Sequence, residues 1–135
     1  MKLELRGRVI YRGQASGKAL VSPQAISFFG GVDPDSGVVT EKGHALEGQS
    51  IRGKVLVFPT GKGSTVGSYT LYRLRHSGAA PAAIVNAECE TITAVGCIIA
   101  EIPCIDQVEI ARITDGAQVR VDGECGVVTI QTDAA

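Results

Sequence analysis

Tryptophan is absent from this 135-residue chain, and histidine occurs only twice. Two imidazoles are too few for a histidine-based metal site. The four cysteines, Cys89, Cys97, Cys104 and Cys125, stand far apart in the sequence. Zinc ribbons, thioredoxin-like redox motifs and iron–sulfur sites usually bring close cysteine pairs, and these are missing. We therefore expect the cysteines to be small buried hydrophobic residues, and we expect no metal site in this chain alone.

The chain also lacks a strong charge and a long apolar run. Thirteen lysines and arginines stand against fourteen aspartates and glutamates, a net charge of −1, so a nucleic-acid partner is not expected. No apolar stretch approaches the roughly 18 residues that a membrane span needs. Charged residues near the start, such as Glu4 and Arg6, interrupt any signal-peptide core. We expect a cytoplasmic protein without a membrane partner, and a single domain over residues 1–135.

Apolar patterning predicts an α/β domain with a mixed sheet or a β/β/α layering. The predicted helices cover 65–77 and 91–100, and a hairpin is centred on Asp122-Gly123. Turn residues indicate a turn over 13–17, and polar composition indicates a surface loop over 38–50. The predicted strands cover 3–11, 19–21, 53–58, 82–85 and 102–105.

The segment TGKGST, residues 60–65, follows one of these strands and resembles a phosphate-binding loop. A Walker A loop needs its lysine directly before a hydroxyl residue, whereas Lys62 is followed by Gly63. This order argues against nucleotide binding. A helix beginning near Thr65 places Ser64 at its N-cap, with free N–H groups that suit an anion. Ser64 either only caps the helix, or acts as a base whose alkoxide is stabilised by the helix dipole and Lys62. The pattern leaves both interpretations open.

Three ordered segments of the chain together resemble the small subunit of aconitase X-type hydro-lyases. They are SFFGGVDPDSG (27–37), GQSIRGKVLVFPTGKGST (48–65) and GAAPAAIV (78–85). The resemblance implies a swivelling β/β/α domain like the mobile fourth domain of aconitase, with a mixed sheet and two main helices. It also implies an aconitase-like large subunit that carries a 4Fe-4S cluster and most of the substrate pocket. The unclustered cysteines of this chain agree with a cluster bound by the partner.

The reaction that the resemblance implies is a dehydration. Archaeal members of the family remove water from (R)-5-phosphomevalonate to give trans-anhydromevalonate 5-phosphate, in the mevalonate route to isoprenoids. Other members act on cis-3-hydroxy-L-proline, and related swivelling domains serve as non-catalytic binding modules. All three functions remain open at this point, and the free-standing small subunit favours phosphomevalonate.

The catalytic serine of the family follows a glycine in the turn after the strand, which matches Gly63-Ser64 here. The implied role of Ser64 is to accept a proton from the carbon beside the substrate carboxylate. The equivalent turn of aconitase continues Ser-Ser-Arg, whereas here Thr65 and Val66 follow Ser64, so the arginine that clamps substrate is missing from this position.

Lys62 is the candidate replacement for that arginine, although a single ammonium group binds an anion less specifically than a bidentate guanidinium. An exposed, solvated lysine is the alternative interpretation. Gly30 and Gly31 either let the backbone approach the substrate or only form a turn. The predicted substrate-binding residues are therefore Lys62, Gly63, Thr65, Gly30 and Gly31.

Overall fold

The computed structural model describes residues 2–131. Ten strands and two α-helices follow one another along this part of the chain, with a short 3-10 helix at Ile110–Arg112. In chain order the elements are β1 (Lys2–Arg6), β2 (Arg8–Tyr11), β3 (Gln14–Val21), β4 (Ile26–Ser27), β5 (Val55–Phe58), β6 (Gly61–Lys62), α1 (Gly67–Ser77), β7 (Ala83–Asn86), α2 (Thr91–Ala100), β8 (Cys104–Asp106), β9 (Gln118–Asp122) and β10 (Val127–Gln131).

Eight of the strands form one mixed sheet in the order β1-β10-β9-β3-β5-β7-β8-β2. The neighbours from β3 to β8 run parallel, and the other pairs are antiparallel. The two outermost strands, β1 and β2, are separated in sequence by Gly7 alone, so the sheet curls until its ends meet. At this junction the Gly7 N–H donates to the Gly126 carbonyl at 2.9 Å. A side chain at position 7 would collide with the Asp106 carbonyl.

Two hydrophobic clusters occupy the two faces of the parallel strands. Alternate residues of each strand enter opposite clusters, because side chains alternate across a strand. Val55 and Val57 pack inside the curled sheet, and Leu56 and Phe58 pack against the helices. Helices α1 and α2 lie close together because Leu71 covers Gly96, where a side chain would collide with it. The result is the predicted β/β/α arrangement with a mixed sheet and two main helices.

Several predicted elements are confirmed, and others are wrong for identifiable reasons. Helix α2 has the predicted bounds, and the C-terminal hairpin closes through a loop at 123–126. The predicted strand over 3–11 is instead two strands, because the chain turns at Gly7 from one end of the sheet to the other. The predicted turn over 13–17 is wrong, because residues 14–17 belong to β3 and pair with β9.

The predicted helix start is also wrong. Helix α1 begins at Gly67, and its N-cap residue is Val66 rather than Ser64. The N–H groups that were expected to be free are already bonded to the carbonyls of the preceding turn. Gly67 N–H donates to the Ser64 carbonyl at 2.9 Å, and Ser68 N–H donates to the Thr65 carbonyl at 3.2 Å. The start of α1 therefore does not offer the open anion site that the sequence predicted.

The cysteines agree with the prediction in part. Cys97 and Cys104 are fully buried and Cys89 is half-buried, but Cys125 is exposed because it lies in the loop between β9 and β10. The Cys89 and Cys104 sulfur atoms lie 3.9 Å apart. The hydrogen bond to Cys104 and burial both raise the pKa of Cys89 far above its ordinary value, so the thiol stays protonated. Protonated thiols are poor nucleophiles and poor metal ligands.

Candidate active site

Two short strands place the two loops of interest side by side. β4 pairs with β6 in parallel, with Ile26 opposite Gly61 and Ser27 opposite Lys62. The Ile26 N–H also donates to the Thr60 carbonyl at 3.2 Å. Because these strands end at the same side, the chain after β4 and the chain after β6 leave in one direction. The loop that contains Gly30 and Gly31 therefore lies next to the turn that contains Ser64.

The turn at residues 62–66, here called the serine turn, lies between β6 and α1. All five of its residues are exposed. The Ser64 hydroxyl oxygen accepts a hydrogen bond from the Val66 N–H at 3.2 Å. This local turn leads the chain into α1 and holds the Ser64 hydroxyl at the surface. An N–H donor aimed at the hydroxyl oxygen favours its ionised form over the neutral one.

Among the residues that the structure describes, none supplies an activating side chain to Ser64. Within residues 2–131, no histidine, aspartate or glutamate forms a hydrogen bond with the Ser64 hydroxyl. A serine that works as a nucleophile or base normally has an adjacent group that removes or stabilises its proton. The arrangement fits a half-site: a positioned hydroxyl that acts only when other groups are brought to it.

Lys62 is held at the edge of the serine turn by an ion pair. Its ammonium nitrogen lies 3.0 Å from the Glu41 carboxylate, and the two side chains are 48% and 32% exposed. Lysine has three N–H donors, so a bond to Glu41 leaves two for an anion. Lys62 is therefore paired and not only solvated, although a pair this exposed contributes only about 0–1 kcal/mol.

Gly30 and Gly31 have different roles in the neighbouring loop. Gly31 is buried against the Ser27 carbonyl, and a side chain there would collide with that oxygen. Its own carbonyl accepts the N–H groups of Thr40 and Glu41 at 2.9 and 3.3 Å. Gly30 has a φ of +82° with open space around it. Gly31 thus anchors the loop that supplies Glu41, whereas Gly30 allows the backbone to reverse.

Asp33 stabilises the turn that follows the glycine pair. Its carboxylate accepts from the Ser36 hydroxyl at 2.7 Å and from the Asp35 N–H at 3.3 Å. These hydrogen bonds, that of Ser36 first, lower the pKa of Asp33 below its ordinary value of 3.8. Asp33 therefore remains ionised at neutral pH and serves the local turn.

Gly63 is the residue of the serine turn whose replacement has the clearest structural consequence. It has a φ of +96°, and a side chain there would collide with the Ser27 hydroxyl. We expect Gly63→Ala to cost about 1–2 kcal/mol from the left-handed backbone alone and to displace Ser64. Urea unfolding measures the first effect, and the rate of the dehydration that the family resemblance implies measures the second.

The matched control for this prediction is Gly48→Ala. Gly48 has a similar φ of +85°, but nothing lies within 4 Å of a side chain placed there. Both variants should lose a similar amount of stability from the backbone, and only Gly63→Ala should lose activity. Equal activity in the two variants would show that the packing of Gly63 on Ser27 does not position the Ser64 hydroxyl for function.

Sequence patterns missed Ser27 and Glu41 as neighbours of the serine turn. Glu41 belongs to the predicted surface loop, where no helical or strand period marks one residue as special. Its contact with Lys62 joins residues 21 positions apart and depends on the pairing of β4 with β6. A strand of two residues produces no detectable period, so this juxtaposition follows only from the folded chain.

The described part of the chain holds no recognisable metal site. No three histidine, cysteine, aspartate or glutamate side chains within residues 2–131 are grouped so that they could hold a metal ion. Neither helix in the same range combines the length and apolar character of a membrane crossing.

Comparisons with known proteins give the serine turn a family context. The family model described as "Aconitase X swivel domain" matches residues 4–130. The chain is 52% identical to the phosphomevalonate dehydratase small subunit of Methanocella arvoryzae, over 95% of this chain and 99% of that protein. It is 50% identical to the protein of the same name from Thermococcus kodakarensis, over 97% and 98% of the two chains.

A solved structure shows the same fold. The crystal structure of Thermococcus kodakaraensis aconitase X in its holo-form superposes with a TM-score of 0.94 at 49% identity. The match covers 96% of this chain and 99% of the chain in that crystal. With the family model matched over nearly the whole length, and relatives at about half identity over both full chains, this chain belongs to the aconitase X swivel domain family.

Proposed function

We propose that this chain is the small subunit of a heteromeric hydro-lyase that dehydrates (R)-5-phosphomevalonate to trans-anhydromevalonate 5-phosphate. The observation that carries the proposal is the identity of 52% and 50% to phosphomevalonate dehydratase small subunits along almost their whole length. The comparisons described above give no such support to cis-3-hydroxy-L-proline as substrate or to a non-catalytic binding module.

The partner in this proposal is an aconitase-like large subunit. The relatives are named small subunits, which implies a larger chain beside them. The holo-form of the related aconitase X implies a bound group in the complex. As the family resemblance implies, we assign a 4Fe-4S cluster to the large subunit; within residues 2–131 no group of three histidine, cysteine, aspartate or glutamate side chains could hold a metal ion. Bound there, such a cluster supplies a Lewis acid for the hydroxyl that leaves the substrate.

Ser64 is the proposed proton acceptor of the reaction. Its ionised oxygen takes the proton from the carbon beside the substrate carboxylate. The electrons of that C–H bond form the C=C bond, and the hydroxyl on the next carbon departs. The exposed serine turn and the Val66 N–H directed at the Ser64 oxygen support this role.

Lys62 and the glycine loops are proposed to bind the anionic parts of the substrate. The Lys62 ammonium lies two residues before Ser64 and keeps two N–H donors beyond its bond to Glu41. Gly63 and Thr65 flank the serine, and Gly30 and Gly31 lie in the adjacent loop. Phosphate and carboxylate are the groups of phosphomevalonate that a cation recognises.

A substrate comparison with the reconstituted complex tests this function. The purified chain is mixed with its cognate large subunit under anaerobic conditions and given (R)-5-phosphomevalonate or cis-3-hydroxy-L-proline. We expect dehydration of the first substrate, with at least about a hundredfold preference in kcat/KM, because binding sites built for a phosphate reject substrates that lack it. A preference for hydroxyproline would replace the substrate assignment. Complex formation without dehydration of either substrate would favour the binding module.

A further inference from the structure

Helices α1 and α2 leave a groove between them that is open to solvent and has no charged lining. Its volume is about 290 Å³. We call it the helix groove. Tyr69 on α1 is 67% exposed, and Val95 and Ile99 on α2 are 43% and 38% exposed. The groove is lined by Thr65, Ser68, Tyr69, Thr91, Ile92, Val95 and Ile99.

The sequence of α2 is unusual for a helix on a protein surface. Its ten residues, TITAVGCIIA, include no charged side chain. A surface helix normally carries charged or polar residues on the face turned away from the core. The buried face of α2 holds Thr93, Gly96, Cys97 and Ala100. Val95 and Ile99, which line the groove, are exposed and do not fill the core. Exposed apolar groups that are contiguous indicate an interaction surface.

The helix groove is continuous with the serine turn. Thr65 belongs to both, and Val66, the last residue of the turn, is 42% exposed. Phe29, which is 53% exposed, also lies near the start of α1, where its backbone N is 3.7 Å from the position of a side chain on Gly67. A macromolecule that reaches the Ser64 hydroxyl must therefore also approach these apolar groups.

We propose that the helix groove is the surface on which an apolar segment of the large subunit docks. This inference rests on the proposed function, in which Ser64 needs groups from a second chain. That chain must come close to the serine turn, and the adjoining surface is uncharged and apolar. An apolar, uncharged groove fits an aliphatic or aromatic segment and disfavours a charged one, because a charge buried there would have no partner. Docking in the groove places the partner directly beside Ser64.

The test compares two pairs of aspartate substitutions on the same helices. Tyr69→Asp and Val95→Asp place a charge in the groove. Tyr72→Asp and Ile98→Asp are the controls, because they place a charge on the same helices outside the groove lining. The Tyr72 and Ile98 side chains are 42% and 49% exposed. We expect the groove variants to weaken binding to the cognate large subunit by at least about 30-fold, as truncation of interface hot spots does. The two control variants should bind within about threefold of wild type.

Binding is measured by analytical ultracentrifugation and by titration of the large subunit, after circular dichroism has shown that each variant is folded. Ser64→Ala should bind as wild type does, which separates docking from chemistry. Wild-type affinity in both groove variants would overturn the docking proposal and leave the proposed function standing. If instead these variants only dissociate a dimer of this chain, the groove is a self-association surface and the proposal is overturned. No binding by the wild-type chain would overturn both.

Discussion

Replacing Ser64 by alanine is expected to reduce dehydration by the assembled two-subunit complex at least about 100-fold, the usual contribution of a general acid or base. The turn should keep its shape, because the Ser64 carbonyl, which accepts from the Gly67 N–H at 2.9 Å, is unchanged by the substitution. The lost contact is the 3.2 Å bond from the Val66 N–H to an exposed hydroxyl. Stability and assembly should therefore change little while turnover falls.

The measurement is the initial rate of product formation, with KM determined separately from kcat. Because the hydroxyl acts on the reacting carbon, kcat should carry most of the loss. Ser16→Ala is the matched control, since Ser16 is an exposed serine on β3, far from the turn in sequence. Both variants should form the complex. A Ser64→Ala complex that turns over within about threefold of wild type would contradict the proton-acceptor role.

Replacing Asp106 by asparagine is expected to produce the largest loss of folding stability among the changes considered. The Asp106 carboxylate is fully buried at the end of β8. It accepts two bonds from the Arg8 guanidinium, at 2.9 and 2.8 Å, and one from the Cys89 N–H at 2.9 Å. In asparagine one acceptor oxygen becomes an NH₂ donor that faces another donor. Such an unmatched buried group costs about 1–3 kcal/mol, more when a charged partner is involved.

This carboxylate also links the edge strand β2 to the segment that leads into α2. Arg8 is opposite Asp106 in the pairing of β2 with β8. Cys89 directly precedes Glu90, whose carboxylate caps α2 by accepting from the N–H groups of Ile92 and Thr93. Loss of the Asp106 contacts should loosen both regions together. Native-state hydrogen exchange should show faster exchange at the start of α2 in the variant.

Urea unfolding at neutral pH measures the stability effect, with Asp115→Asn as control. Asp115 is exposed, and its carboxylate accepts one hydrogen bond, from the Val21 N–H at 2.9 Å. Asparagine can keep that single bond, so we expect less than about 0.5 kcal/mol of change, as for most surface substitutions. Similar unfolding midpoints for the two variants would show that the stability contributed by the buried Asp106 side chain does not depend on its charge.

Local sequence patterns correctly predicted the helices and strands that are determined by a few neighbouring residues. The apolar run Val55–Phe58 is a buried strand because both of its faces are covered, and α2 has its predicted bounds. The turn after Phe58 was expected to present Ser64, and the structure places that residue in an exposed turn. The family resemblance, and not the pattern, supplied the chemistry proposed for it.

The wrong predictions concern segments whose structure depends on contacts with distant parts of the chain. Gly7 divides the first strand because two ends of the sheet meet there, and Gln14 joins a strand because β9 pairs with it. Ser64 was assigned to the N-cap because hydroxyl residues favour that position. In the structure its backbone carbonyl, not its side chain, accepts from the first turn of α1. The Glu41–Lys62 pair likewise depends on the β4–β6 pairing.

Deuterium incorporation at the carbon beside the substrate carboxylate tests the central claim most directly. The assembled complex is incubated with trans-anhydromevalonate 5-phosphate in D₂O, and the hydrated product is followed by NMR. If Ser64 transfers this proton, the wild-type complex places deuterium at that carbon. The Ser64→Ala complex should lose this step while Ser64→Ala still binds the large subunit. Incorporation by the Ser64→Ala complex at the wild-type rate would show that the proton is transferred by another group.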